Sequence, residues 1–139
     1  MKPRFLLDTN VLSEPVAARP DPSVLERLRE HRAELATASH VIHELAYGAA
    51  RLPRSARRRN LERYLEQVVL TSMPVLPYDT QAALWHAAER ARLEAAGRPV
   101  PTVDSQLAAI AVAHGLTLVT RNLRDFSSFA DLHCVSWHQ

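Results

Sequence analysis

The sequence predicts an α/β domain with a central, mainly parallel sheet. Short apolar runs suited to buried strands alternate with segments of helical periodicity, and turn or cap residues punctuate the boundaries. Size is the second observation: 139 residues are enough for one domain with a substantial core. No internal repeat or low-complexity tract divides the chain, so residues 1–139 are expected to form a single unit.

"FLLDT", residues 5–9, is expected as the first strand. "VLERLREHR" follows Asp21-Pro22-Ser23, a good helix start, and carries Val24, Leu25 and Leu28 at helical spacing. "ELATA" predicts a second strand. The helix "SHVIHELAYGAARL" comes next, with Ser39 as its expected N-cap and Val41, Leu45, Gly48, Ala49 and Leu52 along one face.

Pro53 interrupts the pattern, and "RSARRRNLERYLEQVV" resumes it with a stripe of Leu61, Leu65, Val68 and Val69. "PVLPYD" predicts a third strand, after which Asp79 caps "TQAALWHAAERARLEAAG". Beyond the turn "GRPVPT", Thr102 is expected to cap "VDSQLAAIAVAHG", which stops at Gly115 with His114 at the helix end. "LTLVT" is the fourth strand, "RNLRDF" a loop and "HCVSW" a short last strand.

Composition removes several classes. With 47% apolar and 23% charged residues the chain has the balance of an ordinary soluble globule, and its apolar runs fall short of a bilayer span. The chain reaches Asp8 too early for a signal-peptide core, so the cytoplasm is the expected compartment. One cysteine, Cys134, excludes a disulfide framework and supplies no zinc-ligand pair. Sixteen Arg stand against one Lys, although the net charge is only +2. Arginine suits planar, bidentate phosphate recognition, but an Arg-for-Lys drift in a GC-rich genome yields the same bias, so charge alone does not choose the partner.

The chemistry concentrates in carboxylates. Asp8 ends an apolar strand, where an ionised side chain is costly unless something pairs with it. Glu44 lies in the first turns of the helix after strand two, Asp104 in the first turn of the helix before strand four, and Asp125 a few residues beyond that strand. In a parallel sheet, strand ends and helix starts gather at one edge, where ligands bind. Each acid has a plain alternative: an Asx turn for Asp8, a solvated helix position for Glu44, and a favourable helix-dipole position for Asp104.

Their recurrence at one edge is what points to function. Two carboxylates 4 Å apart repel by about 4 kcal/mol at an effective dielectric near 20, so convergence requires a cation. All-oxygen donors without a His or Cys cluster suit Mg²⁺ or Mn²⁺, the equipment of phosphodiester hydrolysis.

Other chemistries fit less well. "HELAY" begins like a metalloprotease helix, but Tyr47 stands where the second His is required. Three glycines build no phosphate-cradling loop. A phosphoaspartyl hydrolase needs an acid two residues after Asp8, and that residue is Asn10. A receiver domain needs paired early acids and a late strand-end Lys, which are absent.

The stretches "FLLDTNVL", "HELAYGA" and "VDSQLAAIAVAHGLTLVTRNLRDF", in that order and spacing, resemble a PIN-domain ribonuclease of the VapC type, the toxin of bacterial toxin–antitoxin pairs. The resemblance runs from Phe5 to Trp137. It implies a three-layer α/β/α domain around a parallel sheet of about five strands. Asp8, Glu44 and Asp104 become the acids that hold Mg²⁺ or Mn²⁺. The fourth family position falls on Asn122, which leaves Asp125 as a partial substitute or a helix cap.

Thr9, Asn10 and Thr120 would orient those carboxylates, and Arg121 would lie near the site. Arg51, Arg54, Arg57, Arg58 and Arg59, around the mid-chain helix pair, are candidates for gripping an RNA backbone. The resemblance also implies a homodimer and a small antitoxin across the acidic pocket. A catalytically weak RNA- or antitoxin-binding module, or a housekeeping PIN nuclease, is the alternative.

Overall fold

β1 (Phe5–Leu7), β2 (Leu35–Ala38), β3 (Val75–Leu76), β4 (Thr117–Val119) and β5 (Cys134–Val135) pair in the order β3-β2-β1-β4-β5. The computed structural model describes residues 2–139. Every pairing is parallel, with Phe5 beside Leu35 on one side and beside Thr117 on the other. β1 is central, and the chain winds outward through β2 and β3 before returning to place β4 on the opposite side of β1. That reversal opens a crevice at the carboxyl ends of β1 and β4.

The helices follow from local sequence. α1 (Thr9–Leu12) is a single turn capped by Asp8, whose Oδ1 accepts from the Thr9 N–H at 2.7 Å. α2 (Pro22–Glu30) starts with Pro in its first turn and Asp21 as cap. α3 (Ser39–Ala50) continues directly from β2. α4 (Ala56–Tyr64) begins at the Ser55 cap after the Pro53 break and leads into a π-helical turn, Leu65–Val69, and α5 (Leu70–Ser72). α6 (Thr80–Ala95) is capped by Asp79, and α7 (Thr102–Ala113) ends in a Gly115 turn with φ 66°. The helices flank the sheet in three layers.

A parallel sheet covered on both faces needs strands that are apolar throughout. β1 and β2 are buried along their entire lengths. Leu6, Leu7, Val11, Leu12, Ile110 and Leu118 form the middle of the core. α7 supports it with five consecutive buried residues, Leu107–Ala111, so this helix is covered nearly all round.

Several local expectations are corrected. Ser39 and Thr102 are not N-caps: each already lies inside its helix, with Ala38 and Pro101 in the cap positions and no capping side-chain bond. The strand and the proline bring the chain into the helix one residue earlier than hydroxyl capping requires. Val68 is 49% exposed although Val69 is fully buried, because the wider π turn rotates the apolar stripe out of α-helical register. Leu25 is likewise turned outward from α2, leaving Val24 as its buried anchor. "RNLRDF" is not all loop, since Leu123–Phe126 forms a 3₁₀ turn that buries Phe126.

Candidate active site at the carboxyl edge of the sheet

Asp8 stands where β1 ends, at the crevice between β1 and β4. Its backbone N–H donates to the Val119 carbonyl at 3.0 Å, so the β1–β4 pairing itself fixes its position. Thr120, fully buried one residue past β4, donates its hydroxyl to Asp8 Oδ2 at 2.8 Å. The same hydroxyl oxygen accepts the Asn122 backbone N–H at 3.1 Å. Both Asp8 oxygens therefore have a donor, and neither donor carries a charge.

Glu44 projects from α3 into solvent, and its Oε2 accepts the Thr9 hydroxyl at 2.8 Å. Thr9 thus links the first helical turn to the acid on α3. Asn10 accepts the Arg121 backbone N–H at 3.0 Å, tying the segment after β4 to the segment after β1, and its side chain bonds neither acid. Asn122 contributes its backbone, and its exposed side chain forms no hydrogen bond among the described residues.

Electrostatics shows that four acids share this edge. The Asp8 carboxyl lies above the ordinary carboxylate range first because burial strips its water, then because Glu44 and Asp125 add negative potential; the Thr120 and Thr9 donors oppose the rise. Asp104, half-buried on α7, is raised by burial and then by Asp8, Asp125 and Glu44. The Cys134 thiol on β5 is pushed up to about 11 by burial and, secondarily, by Asp8. Among the described residues none of these four acids belongs to an ion pair.

The four do not form a closed cage. Among the described residues no group of three or more His, Cys, Asp or Glu side chains is drawn together tightly enough to hold one ion. The Thr9 hydroxyl ties Glu44 to the residue that follows Asp8.

The mid-chain arginines are distributed differently. Arg58 is committed to the Leu52 carbonyl at 3.0 Å and to Glu62 at 3.6 Å. Arg51 lies over the Tyr47 ring at 5.8 Å. Arg54, Arg57 and Arg59 are exposed around the start of α4, and Arg121 is exposed beside the acidic edge. Sequence reasoning missed Arg98 and Arg124, which line a cleft of about 380 Å³ together with Asp104 and Asp125. They are far apart in sequence, and only a loop and a 3₁₀ turn bring them together.

The chain matches the PIN domain over residues 5–132. It is 35% identical over 127 residues to a VapC ribonuclease of Sinorhizobium fredii, covering 89% of this chain and 91% of that one. It is 33% identical to a tRNA(fMet)-specific endonuclease VapC of Salmonella typhimurium, over 96% of this chain and 98% of that one. Among solved structures it superposes on the Neisseria gonorrhoeae FitAcB structure with TM-score 0.87 and 31% identity, covering 96% of this chain and 97% of that one. DNA-bound VapBC from Salmonella typhimurium gives TM-score 0.83 at 31% identity, with 97% and 98% coverage. Fold, matched span and identity agree: the chain belongs to the PIN-domain family, as a VapC-type member.

Proposed function

We propose that this chain is the endoribonuclease toxin of a toxin–antitoxin pair, and that Asp8, Glu44 and Asp104, with Asp125 beside them, hold Mg²⁺ or Mn²⁺ for hydrolysis of RNA phosphodiester bonds. The observation that carries the metal assignment is an excess of negative charge: four carboxylates share the carboxyl edge, two raised by burial and by their neighbours, none ion-paired among the described residues. The donor set fits a hard divalent cation, being all oxygen with no thiol or imidazole among the four. When bound, such an ion supplies Lewis acidity toward a phosphoryl oxygen and lowers the pKa of water.

The protein's own part is orientation and charge. Thr120 and the Thr9 N–H hold both oxygens of Asp8 in place, and the Thr9 hydroxyl holds Glu44. Donors of this kind fix a ligand carboxylate before the ion arrives. In this reading Asp125 supplies the negative charge that the amide at position 122 lacks, and its potential reaches Asp8 and Asp104.

The VapBC and FitAcB complexes support an antitoxin partner for this chain. No helix among the described residues is long and apolar enough to cross a membrane. The cytoplasm is the compartment we propose. A homodimer is the assembly we propose. The second reading, a weakly catalytic RNA- or antitoxin-binding module, rests on Asn122 and on the open arrangement of the acids. Asp8→Asn and Asp104→Asn are each expected to abolish magnesium-dependent RNA cleavage and relieve growth arrest, with the fold retained by circular dichroism. Undiminished cleavage in either variant would overturn the metal assignment.

A further inference from the structure

We infer that the cleft between the 98–101 loop and the Leu123–Phe126 turn is a phosphate subsite: Arg98 and Arg124 bind the RNA backbone phosphate adjacent to the one being cut. The inference rests on the ribonuclease reading and adds to it the place where the strand leaves the acids.

The cleft, about 380 Å³, is lined by Asp104 and Asp125 together with the two arginines. Both guanidiniums are exposed, and among the described residues neither forms an ion pair or a side-chain hydrogen bond. That separates them from Arg4, Arg58, Arg90 and Arg92, which are each held by a glutamate. Two free cations on the wall of an acid-lined cleft suit a ligand that is itself anionic and reaches the acids through a metal ion.

RNA is such a ligand, because consecutive phosphates have fixed spacing. If one phosphate sits at the carboxylates, the next must lie within a short distance along the strand, and the cleft lined by Asp104 and Asp125 is lined by two arginines as well. The backbone keeps the wall in place. Gly97, with φ 70°, ends α6, and Pro99 and Pro101 restrict the loop that carries Arg98. The 3₁₀ turn that carries Arg124 is anchored by buried Phe126. A carboxylate from a partner protein is the competing ligand. It would meet Asp104 and Asp125 without a polymer's second phosphate to bridge toward the metal, so the geometry favours RNA.

The test uses the full chain and a short fluorescent single-stranded oligoribonucleotide of mixed sequence. In chelator, Arg98→Ala and Arg124→Ala should each weaken binding about two- to fivefold. Each should also flatten the salt dependence by about 0.7 in log–log slope. In magnesium, KM should rise with kcat preserved, and Mn²⁺ affinity measured by calorimetry should not fall. Arg→Lys at either position should restore most of the salt slope.

An oligodeoxynucleotide of the same sequence should lose affinity in parallel, since the contact is to phosphate. Loss confined to the ribo-oligomer would overturn the phosphate assignment. So would unchanged binding and salt slope in both variants, or weakened antitoxin capture with RNA binding intact. The ribonuclease reading is tested separately by Asp8→Asn: its retained cleavage would sink that reading, while the binding measurements in chelator still judge the cleft.

Discussion

Thr120 is the residue on which Asp8 depends most. Its hydroxyl is fully buried, donating to Asp8 Oδ2 and accepting the Asn122 N–H. Thr120→Ala removes both contacts and leaves a buried carboxylate oxygen without its partner, at a cost of about 1–3 kcal/mol in denaturant unfolding. Divalent-ion affinity should fall about 10- to 100-fold in calorimetry, and Thr120→Ser should restore it. The pH response follows from the raised Asp8 and Asp104 carboxyls. A carboxyl whose folded pKa exceeds its unfolded value binds a proton more tightly in the native state. It costs no stability below the unfolded value near 3.8, and the cost is complete once pH passes the raised folded value. Melting curves in chelator should therefore show Asp8→Asn more stable than the parent at neutral pH, with the gap closing on acidification. Added Mg²⁺ should stabilise the parent more than the variant.

At the level of elements, α6 is clamped to the segment that follows the acidic turn. Glu89, buried on α6, accepts from Arg92 at 2.7 and 2.9 Å and from the Ala130 N–H, while Arg92 also donates to the Ser128 carbonyl. The half-exposed Arg92 holds the Glu89 carboxyl below its ordinary range, and Ala130 adds to the effect against desolvation. This contribution is present above the unfolded pKa of 4.5 and is lost as pH falls through the depressed folded value. Glu89→Ala should cost about 1–3 kcal/mol in urea unfolding at neutral pH and progressively less in acid. Gly115 offers a second check. Its N–H bonds the Val112 carbonyl and the Leu116 N–H bonds the Ala111 carbonyl, closing α7 with a left-handed residue. Gly115→Ala should lower stability by about 1–2 kcal/mol, measured by thermal melting.

Most elements were legible because their signals are local. Asp21 and Asp79 cap as their positions require, and Gly115 stops α7. What was not legible depends on register and packing. Val68 turns outward because of a π turn that no local propensity announces, and Ser39 and Thr102 lose their capping roles to a one-residue shift. At the site, the four acids could be named from their places at strand ends and helix starts. The hydrogen bonds that orient them, Thr120 to Asp8 and Thr9 to Glu44, span 112 and 35 residues and required the folded chain.

For the whole molecule, the central position of β1 joins stability to the site. Leu6 is fully buried on β1 between β2 and β4, so Leu6→Ala should cost about 2–5 kcal/mol in chemical denaturation. The same strand delivers Asp8 to the crevice, and β4 delivers Thr120 to meet it. By itself the amino-acid order determined the alternation of strands and helices, the oxygen-rich character of the acids and the family to which they belong, because apolar periodicity and residue type are local properties. Only the tertiary structure decided that Asp125 adds its charge to Asp8 and Asp104, that Glu44 is held by Thr9, and that Arg98 and Arg124 line one cleft. Electrostatic coupling falls with distance through space, and distance along the chain does not specify it.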